Sequence, residues 1–432
     1  MLKRKIMDQL LEWKQTKDRK CLLLIGARQI GKTFIVREFA KQYYESFVEL
    51  NFLLNKEHKA IFNGSLSAEK IYKGLSLLFD DLKLVHGKTL IFLDEIQECG
   101  QARTALKSLA EDNKYDVIAS GSMLGVAYKQ TASIPVGYET QMEMFALDFE
   151  EFLWAKGIQE DRIHIIKEYF DKREQVPEAI NNRMFEHMRE YMVVGGMPSA
   201  VNVFIKTNNF ALVHKEQEAI LKGYKSDIAI YAPTPERVKA RDCYLSIPEQ
   251  LAKENKKFRY VVFDKEGNNR KYINSIDWLV DAGLVKMCAN VSTPSFPIVA
   301  YKQANYFKVY GTDIGIIVAM YGFEMKAAII NNTLKGPAKG GIYENLIADI
   351  LLKKYLPLNY YKPGESHQEI EFLYTLGQCI IPIEVKAGNS ASKSLDKFIE
   401  QFKPKLAYKF ITGNVGQVGA KLTMPLYMAM FL

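Results

Sequence analysis

Gly26-Ala27-Arg28-Gln29-Ile30-Gly31-Lys32-Thr33 follows the apolar run Cys21 to Ile25 and precedes a stretch of helical spacing from Thr33 to Tyr44. This is the form of a phosphate-binding loop between a buried strand and a helix. Gly26 and Gly31 let successive backbone N–H groups curl around a phosphate, and Lys32 offsets its charge. Thr33 supplies a hydroxyl suited to Mg²⁺. The helix that begins there turns the positive end of its dipole on the anion. The whole octad, Gly26, Ala27, Arg28, Gln29, Ile30, Gly31, Lys32 and Thr33, is therefore the expected ATP-binding segment.

Working outward, Thr89-Leu90-Ile91-Phe92-Leu93-Asp94-Glu95 is an apolar run ending in two acids. Paired with the loop, it assigns Mg²⁺ to Asp94 and polarisation of the attacking water to Glu95. Asp116 to Ser122 ends in small hydroxyls. Ser120 and Ser122 suit either a γ-phosphate sensor or a plain turn. Short β-branched or leucine-rich runs alternate with helical stretches through this third of the chain, which predicts a parallel sheet with crossover helices.

The 432 residues suggest several domains, and 48% hydrophobic with 25% charged residues fits an ordinary globular chain with little disorder. A net charge of +8 permits nucleic-acid contact without requiring it. Five cysteines lie far apart with no C-x-x-C pair, which argues against a zinc site or a disulfide framework. No run is long enough to span a bilayer, and the N-terminus reads as an amphipathic helix around Leu2, Ile6, Leu10 and Trp13. A cytoplasmic location without membrane contact is the expectation.

Together GARQIGKT, LIFLDEIQ, ASGSMLG, the segment Ser133 to Gly157 and YMVVGGMP resemble the prokaryotic AAA+-type predicted ATPases that carry a C-terminal domain of unknown function. The resemblance runs through nearly the whole chain, and FEEFLWA and GGMP are its most specific parts. It implies an α/β multidomain fold: a P-loop AAA+ parallel sheet, a helical lid, a winged helix and a restriction-endonuclease-like α/β C-terminal domain. The expected divisions are 1–148 for the ATPase core with its N-terminal helix, 149–235 for the lid, 236–330 for the winged helix-turn-helix and 331–432 for the nuclease-like part. Many members have an arginine where this chain has Tyr138 after Gly137, so a trans-acting arginine does not carry over there. Arg28 and Arg103 remain as charge donors, and turnover is expected to be slow.

The residues of the last two parts support these divisions independently. Short helices and then a strand pair mark the winged helix, with Lys253, Lys256, Lys257, Arg259, Arg270 and Lys271 flanking Ser275 to Val280. Lysines there suit phosphates, whereas Asp277 and Asp281 would repel them, and Trp278 reads as core. DNA contact and a protein-docking or lid-packing role all stay open. From Gly340 the order helix, three strands, helix, strand matches the core of PD-(D/E)XK nucleases. Glu384 and Lys386 share a strand face, Glu371 lies on the preceding strand and Glu344 on the opening helix. Carboxylates holding Mg²⁺ beside a lysine are what phosphodiester cleavage needs. Glu371 stands where aspartate is usual, which sets retained cleavage against a fold kept without it. His367 reads as a loop residue.

The function expected from all this is a Mg²⁺-dependent ATPase whose nucleotide state controls the C-terminal parts, acting on DNA or RNA or on a protein partner, with oligomerisation open. The alternatives are an ATP-regulated metal-dependent nuclease and a nucleotide-controlled interaction switch.

Overall fold

The computed structural model describes residues 2–122, 137–364, 368–388 and 391–432. The chain divides into two units, Arg4–Ala146 with Asp281–Gly283, and Leu147–Val280 with Leu284–Leu432 and the N-terminal Leu2 and Lys3. His367 lies outside the described residues.

The first unit is built on β1 (Cys21–Gly26), β2 (Ser46–Asn51), β3 (Thr89–Asp94), β4 (Asp116–Ser122) and β5 (Glu139–Glu143) in the order β2-β3-β4-β1-β5. Every neighbouring pair is parallel. Parallel strands need crossovers, and the helices Lys32–Tyr43, Ala68–Leu78 and Gly100–Asp112 supply them. Helices on the sheet faces leave its centre dry, which is why β3 and β4 are buried at every residue and carry apolar runs at their centres, Leu90 to Leu93 and Val117 to Ala119. Leu23, Leu50, Ile91, Leu93 and Leu106 pack in one cluster, each burial contributing about 1.5–3 kcal/mol. The helix expected from Thr33 starts one residue earlier.

Sequence reading passed over β5, because Glu-Thr-Gln-Met-Glu has no apolar stripe. It is an edge strand whose Glu139 faces inward to meet Arg103 at 3.0 Å, both side chains buried. Arg103, one of the two arginines left open as charge donors, is thus held in a buried ion pair. Behind the loop, the Arg4 guanidinium donates to the carbonyls of Ile30 (3.3 Å) and Phe145 (2.6 Å). Gly26 is indispensable for a different reason. A Cβ there would lie 2.3 Å from the Met144 carbonyl oxygen.

In the second unit, helices follow one another from Phe149–Ala155 to Phe210–Tyr231, the region read as helical. The first opens on a reciprocal cap in which Asp148 and Glu151 accept from each other's backbone N–H. Helices Arg237–Leu245, Ile247–Leu251 and Asn269–Asp281 then precede β6 (Val285–Val291) and β7 (Lys302–Gly311), an antiparallel pair. Trp278 is core, as expected. The helix Pro337–Lys353 leads into β8 (Asn359–Tyr361), β9 (Ile370–Leu376), β10 (Cys379–Lys386), the helix Lys393–Phe402, and β11 (Ala407–Ile411), β12 (Gly416–Val418) and β13 (Lys421–Pro425). All eight strands form one mixed sheet in the order β12-β13-β11-β10-β9-β8-β6-β7. Residues 331–339, which the sequence suggests as the linker before the last part, separate strands that share one sheet, with β6 parallel to β8.

The YMVVGGMP segment has a structural explanation. Gly195 adopts φ +73°, and a Cβ on Gly196 would lie 2.0 Å from the Leu147 carbonyl oxygen. Around that carbonyl is a dry polar knot. Tyr191 Oη donates to it at 3.0 Å and Lys353 Nζ at 3.0 Å, while Lys353 also lies 2.9 Å from Asp349. Asp313 accepts from the Gly196 N–H at 2.7 Å.

Candidate functional site

The strand order puts the carboxyl ends of β1, β4 and β3 side by side, the position where open α/β sheets bind ligands. Thr33 Oγ1 donates to Asp94 at 3.0 Å. Ser120 Oγ donates to the other Asp94 oxygen, and Asn51 Nδ2 donates to the first at 2.9 Å. Asp94 is almost wholly buried. Burial pushes its carboxyl above the usual range, opposed by the hydrogen bonds from Ser120 and Thr33. Ser120 therefore acts on the carboxylate. Ser122 is buried two residues further along β4, opposite Gly26.

Lys32 Nζ donates to the carbonyls of Gly26 (3.0 Å) and Ala27 (2.8 Å). Burial lowers its pKa to about 8, despite the nearby Glu95 and Asp94 charges. Gln29 and Gly31 take left-handed φ of +65° and +94°, the turn that brings the loop round to the helix. Ile30 anchors it in the core, and Ala27 and Arg28 are half-buried. Glu95 also sits in the left-handed region at φ +54°, and the Gln97 amide donates to its carboxylate.

This donor set fits a Mg²⁺–nucleotide: a hydroxyl and a carboxylate for the ion at Thr33 and Asp94, and one buried ammonium for the phosphates. The bound ion would withdraw charge from the phosphoryl oxygens. Because phosphate favours the charged ammonium, ATP binding must raise the Lys32 pKa and take up a proton above pH 8. ATP affinity is expected to fall by up to about tenfold per pH unit above 8. Calorimetry in buffers of different ionisation enthalpy reads that proton directly, and zero uptake at pH 8.5 would contradict it.

The second group of expected residues lies in the second unit. Glu344 is buried, with one oxygen 2.7 Å from Lys256 and the other 3.5 Å from Lys308 and 3.1 Å from the Tyr310 hydroxyl. Lys308 reaches Glu369 at 2.5 Å, and Lys362 takes the other Glu369 oxygen at 2.8 Å. Lys386 bridges Glu371 (3.4 Å) and Glu384 (2.9 Å). The remaining oxygen of each, Glu371 Oε2 and Glu384 Oε2, is buried without a hydrogen-bond partner. Burial raises both carboxyls, Glu371 to about 7, and the two acids raise Lys386. A cleft of about 1250 Å³ opens onto Lys256, Lys257, Tyr306, Lys362, Glu371 and Lys386. Among the described residues no three His, Cys, Asp or Glu side chains are grouped so as to hold a metal ion.

Of the lysines read as phosphate contacts, Lys256 is spent on Glu344, Lys271 on Asp264 (2.7 Å) and Lys253 on Glu249 (3.1 Å). Lys257 lies 3.8 Å over the Tyr306 ring, and Arg259 and Arg270 are exposed. Sequence reasoning missed Asn51, Gln97, Arg4 and Lys308. Lys308 did leave a signal: a lysine between Phe307 and Val309 in an apolar strand needs a carboxylate.

Comparison with protein families matches residues 18–153 to the AAA domain, 185–327 to a Domain of unknown function (DUF8612) and 339–423 to a Domain of unknown function (DUF4143). The N-terminal part of this chain is a P-loop AAA-type ATPase domain. Among solved structures, the Walker-type ATPase PABY2304 of Pyrococcus abyssi is similar at 12% identity and TM-score 0.43, over 74% of this chain and 96% of that one. PCH-2 of C. elegans is similar at 13% identity and TM-score 0.28, over 48% of this chain and 63% of that one. Curated proteins give no match. No helix among the described residues is long and apolar enough to cross a membrane. The AAA domain holds the loop and all the Asp94 contacts described above.

Proposed function

We propose that the AAA domain binds ATP with Mg²⁺ at Gly26 to Thr33 and Asp94, hydrolyses it slowly, and through its nucleotide state controls a C-terminal region that acts on nucleic acid. The observation that carries this is the convergence of Thr33, Ser120 and Asn51 on Asp94 beside Lys32. Glu95, on the next residue, takes the proton of the attacking water. Lys32 holds the phosphates, and Ser120 and Asn51 fix the Asp94 carboxylate. Slow turnover follows from Tyr138 in place of an arginine and from Arg103 being committed to Glu139.

In the same reading, 149–235 is the lid, 236–330 the winged helix, whose strands β6 and β7 are carried in the C-terminal sheet, and 331–432 the nuclease-like part, which carries Glu344, Glu371, Glu384 and Lys386. Support for a nucleic-acid ligand comes from the cleft that joins lysines and an arginine to exposed Tyr306.

The test is a titration of labelled single-stranded and duplex oligonucleotides with full-length protein, nucleotide-free and with a non-hydrolysable ATP analogue, over a range of salt. Affinity should differ about tenfold or more between the two nucleotide states and fall steeply with salt. Equal affinity in both states, or binding indifferent to salt, would sink the reading in favour of a protein partner.

A further inference from the structure

We infer that Lys308 is a resident cation standing where a divalent metal would have to sit between Glu344 and Glu369, so that the C-terminal cleft holds nucleic acid without cutting it. The ligand half of this inference rests on the function proposed above, whereas the Lys308 half stands on geometry alone.

Oxygen count is the core of the argument. Mg²⁺ requires oxygen ligands at about 2.0–2.1 Å in near-octahedral array. Both Glu344 oxygens are taken, one by Lys256 at 2.7 Å and one by Lys308 and Tyr310. Both Glu369 oxygens are taken too, by Lys308 at 2.5 Å and Lys362 at 2.8 Å. Lys308 is only 1% exposed, so it cannot swing into water to vacate the place. An ion entering between these carboxylates would have to leave a buried ammonium unpaired. Only Glu371 Oε2 and Glu384 Oε2 stay bare, and Lys386 lies against both residues. A dication at these two oxygens would lie against the Lys386 ammonium and gain nothing from Glu344 or Glu369.

The lining cations not committed to these glutamates, Lys257 and Arg259, leave the cleft suited to phosphate. Five cationic side chains against four carboxylates line it, and buried Lys308 adds a further positive charge behind them. Lys257 with the half-exposed Tyr306 ring, and exposed Arg259, give the cation-and-aromatic pairing on which a strand's phosphates and bases can rest.

Two measurements on the full chain test this. In the first, Mn²⁺ is titrated into nucleotide-free protein and followed by electron paramagnetic resonance. Wild type should show no Mn²⁺ site that depends on Glu344 or Glu384, and Lys308→Met should gain one that is lost again in Lys308→Met with Glu344→Gln. A wild-type Mn²⁺ site abolished by Glu344→Gln overturns the inference, and that arm decides even if Lys308→Met fails to fold. In the second, oligonucleotides are incubated with wild type and Mg²⁺ or Mn²⁺, and their binding to a Lys257→Ala, Arg259→Ala variant is compared. Intact oligonucleotides and at least tenfold weaker binding by the variant are expected. Cleavage that disappears in Glu384→Ala overturns the inference. Oligonucleotides that never bind wild type overturn the proposed function and the ligand half together, while the Mn²⁺ result still reads Lys308 separately.

Discussion

Replacing Glu95 by Gln is expected to lower ATP turnover about 100-fold or more while leaving ATP binding essentially intact. Gln has the shape of Glu but cannot accept a proton from water. The residue is held at φ +54° directly after β3, with its carboxylate bonded to the Gln97 amide, so the replacement keeps the position and removes only the basicity. Lys32, Thr33 and Asp94, which would hold phosphate and ion, do not depend on that basicity. Phosphate release and binding of a fluorescent ATP analogue separate the two effects. Turnover unchanged in Glu95→Gln would take the water-activating role away from Glu95.

The second large effect concerns stability. Lys353→Ala is expected to cost about 3–5 kcal/mol, because it strands Asp349 without its cation at a site from which water is excluded. For a chain of this size that corresponds to a fall in Tm of roughly 10 °C in the second unit. Burial already raises the Asp349 carboxyl to about 7. In wild type the folded state therefore keeps a proton that the unfolded chain releases above about pH 4. This contribution is fully present at acidic pH and is lost as pH rises towards 7. Removing Lys353 raises that carboxyl further, so the loss should be smaller at pH 5 than at pH 8. Changing Asp349 and Lys353 together to leucine should restore part of the stability, since the Asp349 charge goes with its partner while Asp313 loses its 3.9 Å ion pair. Thermal unfolding at the two pH values checks this. A loss below about 1 kcal/mol at pH 8 would mean that Lys353 does not hold the knot.

The AAA domain was legible because its signals are local. The loop, the apolar strand before it and the acids closing β3 each sit within a few residues, and strand order follows from crossovers that allow few solutions. β5 escaped because an edge strand turned toward an arginine carries no hydrophobic period. In the second unit, alternation paired Glu384 with Lys386 and placed Glu371 on the preceding strand and Glu344 on the opening helix, but their lysine partners from β7 and beyond were not legible. Lys308 meets Glu344, 36 residues further along the chain, and Glu369 only because the fold brings the end strand β7 beside the helix Pro337–Lys353 and the start of β9. Such pairing depends on sheet order, and periodicity contains no information about that. Asn51 was hidden for a milder reason, since its contact with Asp94 requires knowing that β2 borders β3.

The eight-stranded sheet bears on how this chain can be divided. A fragment starting at 331 would follow the apparent linker in the sequence, yet it would leave behind β6, the strand that pairs with β8. Its three-residue β8 would then present open backbone groups to any passing strand, an invitation to self-association. The same cut would strip Glu344 and Glu369 of Lys308 and leave both acids facing each other across a gap. The smallest piece that keeps this sheet whole must therefore begin before Val285, with the hairpin carried as part of the C-terminal body.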